Sequence, residues 1–211
     1  MLLAIDTSAG TSVAVVDREG GVLSESTTVD TMRHAEVIGE MIRDALAQAS
    51  VAPAQLSGVA AGMGPGPFTG LRVGIAAAKA FALGIGKPVV PIVSHDAVAL
   101  ERYSTGHTGP LLVVTDARRR ELYWSTYAGI DEFGIPLRSS GPGLSKPDDV
   151  PTSDSQSGRL PRFDAGSVSA GMLGLLAESL YAHDRPFAED QPLYLRSPDV
   201  TPSAGPKRVT G

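Results

Sequence analysis

The sequence predicts an α/β protein of two lobes, each with a mixed sheet flanked by helices. The first observation is an apolar strand that ends at Asp6, followed by a Thr/Ser/Gly turn and a return strand. The second is the recurrence of this strand–Asp–turn–strand pattern about 110 residues later, where Asp116 takes the place of Asp6. The third is the alternation of strands with segments of helical period, which is typical of α/β folds.

The elements follow from local periodicity and turn residues. Strands are predicted within 2–17 as a hairpin, then at 22–29, 56–61 and 88–93, and within 111–127 as a second hairpin. Helices are predicted at 32–50, 71–85, 94–103 and 167–182, with Thr69 as the N-cap of the second.

The rest of the chain is predicted to lack long regular elements. Residues 134–163 are rich in Pro, Ser and Gly and are expected to form loop with one short strand. Four prolines after position 191 predict an extended end. We therefore expect an N-terminal lobe at 1–104, a C-terminal lobe at 105–197 and an extended or disordered tail at 198–211.

Composition excludes several classes of protein. The 211 residues include no cysteine, which removes disulfides, a thiolate nucleophile and Cys-ligated metal sites. The four histidines fall at no metal-ligand spacing, so no metal site is expected. A net charge of -5 argues against a dedicated nucleic-acid-binding module. No signal peptide is apparent, and no apolar run approaches the ~20 residues of a membrane span, so we expect a cytoplasmic protein without membrane contact.

The turn after the first strand is a candidate phosphate site. Thr7, Ser8, Gly10 and Thr11 supply hydroxyls and turn amides, and Asp6 can hold Mg²⁺ through water. The competing interpretation, which the motif alone favours, is a hairpin turn in which Asp6 accepts local amides.

The loop at 62–70 is rich in glycine and leads into a helix N-terminus, an arrangement that can bind anions. No Gly-Lys-Ser/Thr follows Gly70, and Pro65 and Pro67 remove two amide donors. A stiff turn that lets backbone segments pack closely is the favoured interpretation.

The helix at 71–85 carries only two charged residues, Arg72 and Lys79. A helix that is apolar all round must be covered all round, either within this chain or by a second protein. We favour a partner, because few other elements are available to bury it. The run Arg118–Arg120 could contact phosphate or RNA, but a solvated turn is the favoured interpretation.

Four strings together resemble one family. They are Leu3–Ser8, the loop and helix start at 62–74, the second hairpin with Asp116 and Glu121–Trp124, and Tyr194–Arg196. In order and spacing they are similar to the bacterial TsaB family, also called YeaZ, along nearly the whole chain.

The resemblance implies two ribonuclease-H-like lobes of the actin/Hsp70/sugar-kinase superfamily. It implies a non-catalytic scaffold that binds a TsaD homologue as a heterodimer. TsaD transfers threonylcarbamoyl to adenosine 37 of tRNA, and a TsaE-type ATPase joins the complex. A homodimer is expected when the chain is alone, and tRNA contact only indirectly through the complex. No cofactor is required, although ATP or ADP with Mg²⁺ at the complex interface is compatible with the family's phosphate-loop positions, Asp6 and Asp116.

The helices of the N-terminal lobe are the expected partner surface. The residues assigned to it are Ile38, Met41, Ile42 and Ala45 of the helix at 32–50 and Gly74, Ala77, Ala78 and Phe81 of the helix at 71–85.

Departures from the TsaD pattern support a scaffold. TsaD-like enzymes carry a His-x-x-x-His metal motif, whereas this chain has His95 but Ala99 at the second position. The alternative function is an ATPase or small-molecule kinase that uses Asp6 and Asp116. A peptidase activity is disfavoured, because the second histidine and a nucleophile constellation are missing.

Overall fold

The N-terminal sheet has five strands in the order β3-β2-β1-β4-β5. The computed structural model describes residues 1–30, 33–154 and 158–196. The strands are β1 (Leu2–Asp6), β2 (Thr11–Asp17), β3 (Gly21–Thr28), β4 (Gly58–Gly62) and β5 (Val89–Ile92). β1, β2 and β3 are antiparallel neighbours, whereas β4 and β5 run parallel to β1. The first predicted hairpin is thereby confirmed.

Helices cover both faces of this sheet. α1 (His34–Ala49) and α2 (Phe68–Ile85) cover one face, and α4 (Ala170–Ala182) covers the other. The remaining helix, α3 (Ser94–Ser104), follows β5. Successive β1 side chains point to opposite faces, so Leu3 and Ile5 join the core under α1 and α2, while Leu2 and Ala4 join the core under α4. β1 is therefore buried on both sides.

The second sheet has the order β11-β6-β7-β8. Its strands are β6 (Leu111–Asp116), β7 (Leu122–Ile130), β8 (Pro136–Ser145) and β11 (Arg162–Asp164), and a separate two-stranded ribbon pairs β9 (Ser153–Asp154) with β10 (Gly158–Arg159). The strand–Asp–turn–strand unit thus occurs in both sheets. Leu111, Val113 and Tyr127 of this sheet share one core with α3 and α4.

Two helices tie the sheets together. α4 follows the second sheet in the chain but packs on β1, β2 and β3 of the first, where Gly174 allows close approach to β1 and β2 and Gly171 to β3. α3 precedes the second sheet but packs on β6, β7, β8 and α4. The core is therefore continuous across the predicted boundary at residue 104.

Two predicted elements need correction. Residues 134–163 contain the ten-residue strand β8 as well as β9, β10 and β11, not loop with one short strand. α2 begins at Phe68 with Pro67 as its N-cap, so Thr69 lies inside the first turn. The tail predicted at 198–211 lies outside the described residues.

α2 has the length and apolar composition of a membrane-spanning helix. In the fold it packs on β4 and β1, and Leu71, Ala78 and Ala82 lie in the core beneath it. α2 therefore packs as a core helix of a globular domain.

The end of the described chain returns to the first sheet. Ala188 donates its backbone N–H to Pro91 (3.1 Å) and Leu193 donates to Met63 (2.8 Å). The Tyr194 ring lies 4.7 Å from that of Phe68, at the start of α2. We call residues 186–196 the return segment.

Candidate functional site

The Asp6 carboxylate is buried, and both of its oxygens accept hydrogen bonds. Its Oδ1 accepts the backbone N–H (2.7 Å) and the hydroxyl (2.5 Å) of Ser8, and its Oδ2 accepts the hydroxyl of Ser94 (2.5 Å). The Ser94 hydroxyl in turn accepts the N–H of Gly64 (3.1 Å). Burial raises the pKa of Asp6, although these hydrogen bonds oppose the rise.

Four glycines in the loop and at the start of α2 allow this part of the chain to pack directly against the Asp6 turn. An added Cβ at Gly62 would overlap Asp6 Oδ2, and one at Gly74 would overlap the Thr7 hydroxyl. At Gly66 and Gly70 it would lie 2.8 Å from the backbone of Ser8 and of Thr7, respectively. The loop therefore acts as the close-packing turn that the sequence favoured, and it seals the Asp6 turn.

The other residues predicted to bind phosphate also face inward. The Thr7 hydroxyl donates to the Gly70 carbonyl (2.7 Å), and that of Thr11 pairs with His34 Nδ1 (2.7 Å). Gly10 adopts a positive φ of 90° against β3. Both carboxylate oxygens of Asp6 already accept hydrogen bonds, so a water-bridged Mg²⁺ here would compete with the Ser8 and Ser94 donors.

Asp116 holds the position in the second hairpin that Asp6 holds in the first. It is exposed at the end of β6, where its Oδ1 accepts the N–H of Arg118 (2.9 Å). The next turn holds Arg118, Arg119 and Arg120 at positive φ of 60°, 52° and 59°. The charges of Arg118 and of Asp6 both act on the His34 ring, so the turn that follows Asp116 lies on the same side of the molecule as the Asp6 turn.

His95 is a core residue. Its ring is 0% exposed, and its two nitrogens pair with the hydroxyls of Ser125 (2.8 Å) and Thr115 (2.9 Å). Burial, with a smaller contribution from Arg138, lowers the pKa of His95 to about 3. Ala99 is also fully buried, and within the described ranges no group of three metal-ligating side chains occurs.

The low pKa of His95 predicts an acid-dependent loss of stability. The unfolded chain binds a proton near pH 6.5 and the folded chain near 3, so the stability is complete above 6.5 and falls as pH drops through this window. Between pH 7 and pH 4.5 we expect the free energy of unfolding of His95→Gln to fall by about 2 kcal/mol less than that of the wild type. Urea unfolding at both pH values measures this, and equal losses in the two proteins would contradict the prediction.

The predicted partner residues fall mostly inside the chain. Those that are buried in the core under the first sheet are Ile38, Ile42, Ala45, Gly74 and Ala78. Met41, Ala77 and Phe81 are half-buried. The apolar stripe of an amphipathic helix faces its own core first, so the burial of the five argues against their contact with a partner.

The outer face of α2 carries a different set of residues. We define the outer α2 face as Val73, Ala76, Ala77, Ala80, Leu83 and Gly84. Leu83 is 83% exposed, and Ala76 and Ala80 are exposed as well. The helix packs inward through small residues spaced by four, Gly70, Gly74, Ala78 and Ala82. That stripe is the sequence signal that could have separated the inner face from the outer one.

Both charges of α2 are held at the side of this face by the return segment. Arg72 donates to the Tyr194 hydroxyl (3.1 Å) and stacks on Phe68 at 3.9 Å. Lys79 pairs with Asp190 at 2.7 Å. The outer α2 face is therefore apolar but is bordered by two charged side chains, with Lys79 one helical turn before Leu83.

Two duplicated units, joined through α3 and α4, define the class of this protein. It is an α/β protein with two mixed sheets flanked by helices, each sheet containing one strand–Asp–turn–strand unit. A family model described as TsaD, tRNA N6-adenosine threonylcarbamoyltransferase, matches residues 6–147. YeaZ from Pseudomonas aeruginosa superposes with a TM-score of 0.76 at 27% identity, over 92% of this chain and 99% of that chain.

Proteins of similar sequence indicate the same family. An uncharacterised protein of Mycobacterium tuberculosis is 38% identical over 96% of this chain and 95% of its own length. The tRNA threonylcarbamoyladenosine biosynthesis protein TsaB of Escherichia coli is 30% identical over 71% of this chain and 64% of its own length. The chain belongs to the TsaB/YeaZ family, as its sequence motifs predicted.

Proposed function

We propose that this protein is a non-catalytic subunit of the machinery that adds threonylcarbamoyl to adenosine 37 of tRNA. In this proposal it binds a TsaD homologue through the outer α2 face. The observation that carries the proposal is the outward apolar stripe on α2, an exposed surface of the kind that marks protein interfaces.

The closed Asp6 turn supports a role without chemistry. Catalytic phosphoryl transfer needs positioned phosphates and an accessible metal site. Here Asp6 is buried by Gly62 and held by Ser8 and Ser94. His95, the remaining position of the metal motif, is buried among hydroxyls.

Complex formation tests the proposal. The chain and a TsaD homologue from the same organism should sediment together at micromolar concentrations. Failure to associate there would overturn the scaffold function. A TsaE-type ATPase should join the pair, and tRNA should bind the complex but not the isolated chain, whose net charge is -5.

The same face explains the expected homodimer. A stable homodimer needs an apolar patch that is self-complementary about a two-fold axis, and small residues such as Ala76 and Ala80 allow two helices to approach closely. Addition of the TsaD homologue should convert the homodimer into the heterodimer, because both would use the same surface.

The alternative function, an ATPase or small-molecule kinase, predicts that the isolated chain binds Mg-ATP. We expect calorimetric titration to show no binding tighter than about 1 mM, because the Asp6 turn is closed. Micromolar binding with turnover would favour the enzyme instead. Nucleotide at the interface with the TsaD homologue remains part of our proposal, since partner residues could complete a site there.

A further inference from the structure

A cavity of about 420 Å³ lies where α3, α4, the β7–β8 turn and the return segment meet. This volume lies within the range of about 300–1,000 Å³ that ligand pockets occupy. Neither Asp6 nor any residue of the outer α2 face lines the cavity. It is therefore distinct from both features on which the proposed function depends.

The inner wall of the cavity is apolar. Ile92 ends β5, Ile135 precedes β8, and Leu176 lies on α4; all three are buried side chains of the core. Leu180 and Phe187 extend this wall towards the solvent. Such a wall favours the aliphatic or aromatic body of a ligand, because binding removes apolar surface from water.

The two aspartates that line the cavity already use their acceptor oxygens. Asp96 Oδ1 accepts from the Tyr127 hydroxyl (2.8 Å) and from an arginine Nε (3.0 Å). Asp131 Oδ1 accepts the backbone N–H groups of Phe133 and Ile135, both at 2.9 Å. These carboxylates hold the local fold, so they are poor partners for a positively charged ligand.

The two arginines that line the cavity have N–H donors beyond those used in their hydrogen bonds to other described residues. A guanidinium carries five N–H donors. Within the described part of the chain, Arg138 uses three of them, on Asp96 and on the Gly141 carbonyl. Arg185 contacts two carboxylates of the β7–β8 turn through NH2 alone, and its side chain is 40% exposed. The Asp131 side chain is only 6% exposed, so this pair stays in place, and the Nε and NH1 donors of Arg185 are left to bind a ligand oxygen.

We propose that this cavity binds a small organic anion with an apolar body. Arg185 holds the anionic group, Arg138 lies beside it, and the apolar wall receives the body. The site uses donors and apolar surface that the scaffold function leaves unused, so it extends beyond that function.

8-Anilinonaphthalene-1-sulfonate, which combines an aromatic body with a sulfonate, is the probe. Its fluorescence should report one saturable site on the full-length chain. Arg185→Gln should weaken binding about tenfold, because a charge-assisted hydrogen bond is lost. Arg159→Gln removes the same charge from an exposed position that does not line the cavity and should leave the affinity unchanged.

Two further variants locate the probe. Ala188→Phe fills the cavity and should abolish the saturable signal, whereas Leu83→Glu on the outer α2 face should not. N-phenyl-1-naphthylamine, which lacks the sulfonate, should be insensitive to Arg185→Gln. The proposal is overturned if binding is not saturable, if Leu83→Glu removes it, or if Arg185→Gln and Ala188→Phe both leave it unchanged.

Discussion

Leu83→Glu is expected to weaken binding of the TsaD homologue by at least about 100-fold. Leu83 is 83% exposed on the outer α2 face, in the last turn of the helix, so the substitution should not disturb the fold of the isolated chain. In the complex the new carboxylate would be removed from water opposite an apolar partner surface, which costs several kcal/mol. Isothermal titration calorimetry with the TsaD homologue measures the change.

Tyr181→Glu is the matched control for this experiment. Tyr181 is also a large apolar side chain, 74% exposed, but it lies near the end of α4. We expect normal affinity from this variant and unchanged circular dichroism from both. Normal affinity of Leu83→Glu would show that the partner binds elsewhere. Ala78→Glu cannot serve as the test, because Ala78 is 0% exposed and a charge there would unfold the core.

Gly62→Ala is expected to destabilise the protein by about 3 kcal/mol or more. The added methyl group would overlap Asp6 Oδ2 and lie 2.9 Å from the Ser94 hydroxyl, so it would break the hydrogen bonds that hold the buried carboxylate. Differential scanning calorimetry should then show a Tm lower by about 6–12 °C for a chain of this length.

Gly39→Ala is the control for the glycine experiment. Gly39 lies in α1, and an added Cβ there meets nothing within 4 Å. This substitution should be neutral or stabilise the protein by up to about 1 kcal/mol, because alanine is the better helix former. If Gly62→Ala were equally harmless, the Asp6 turn would be open enough to move, and the argument against nucleotide binding would fail.

Much of the fold could be predicted because its strongest signals are local. The hairpin of β1 and β2 follows from two apolar runs around a polar turn, and its repetition at Asp116 predicted the second sheet. β8 could not be predicted in this way. It is an edge strand that carries Gly141 at a positive φ of 85° and packs Gly143 against Trp124, so long-range contacts allow a Gly- and Pro-containing strand.

The candidate site was predicted only in part. The sequence favoured a hairpin turn in which Asp6 accepts local amides, and in the structure Asp6 accepts the Ser8 N–H. It also favoured a stiff loop at 62–70, because glycines spaced along a loop indicate close backbone contact. It could not tell the inner from the outer face of α2, since both are apolar. That distinction depends on where β1, β4 and the return segment lie, which is information about tertiary packing.

Reconstituted threonylcarbamoyl transfer to tRNA, with the TsaD homologue and its other partners present, tests the central claim most directly. If the chain supports transfer by binding alone, Leu83→Glu should abolish product formation and Asp116→Asn should leave it unchanged. Asp116 is exposed, so its variant keeps the fold. Loss of product with Asp116→Asn in an intact complex, or full product with Leu83→Glu, would contradict the account.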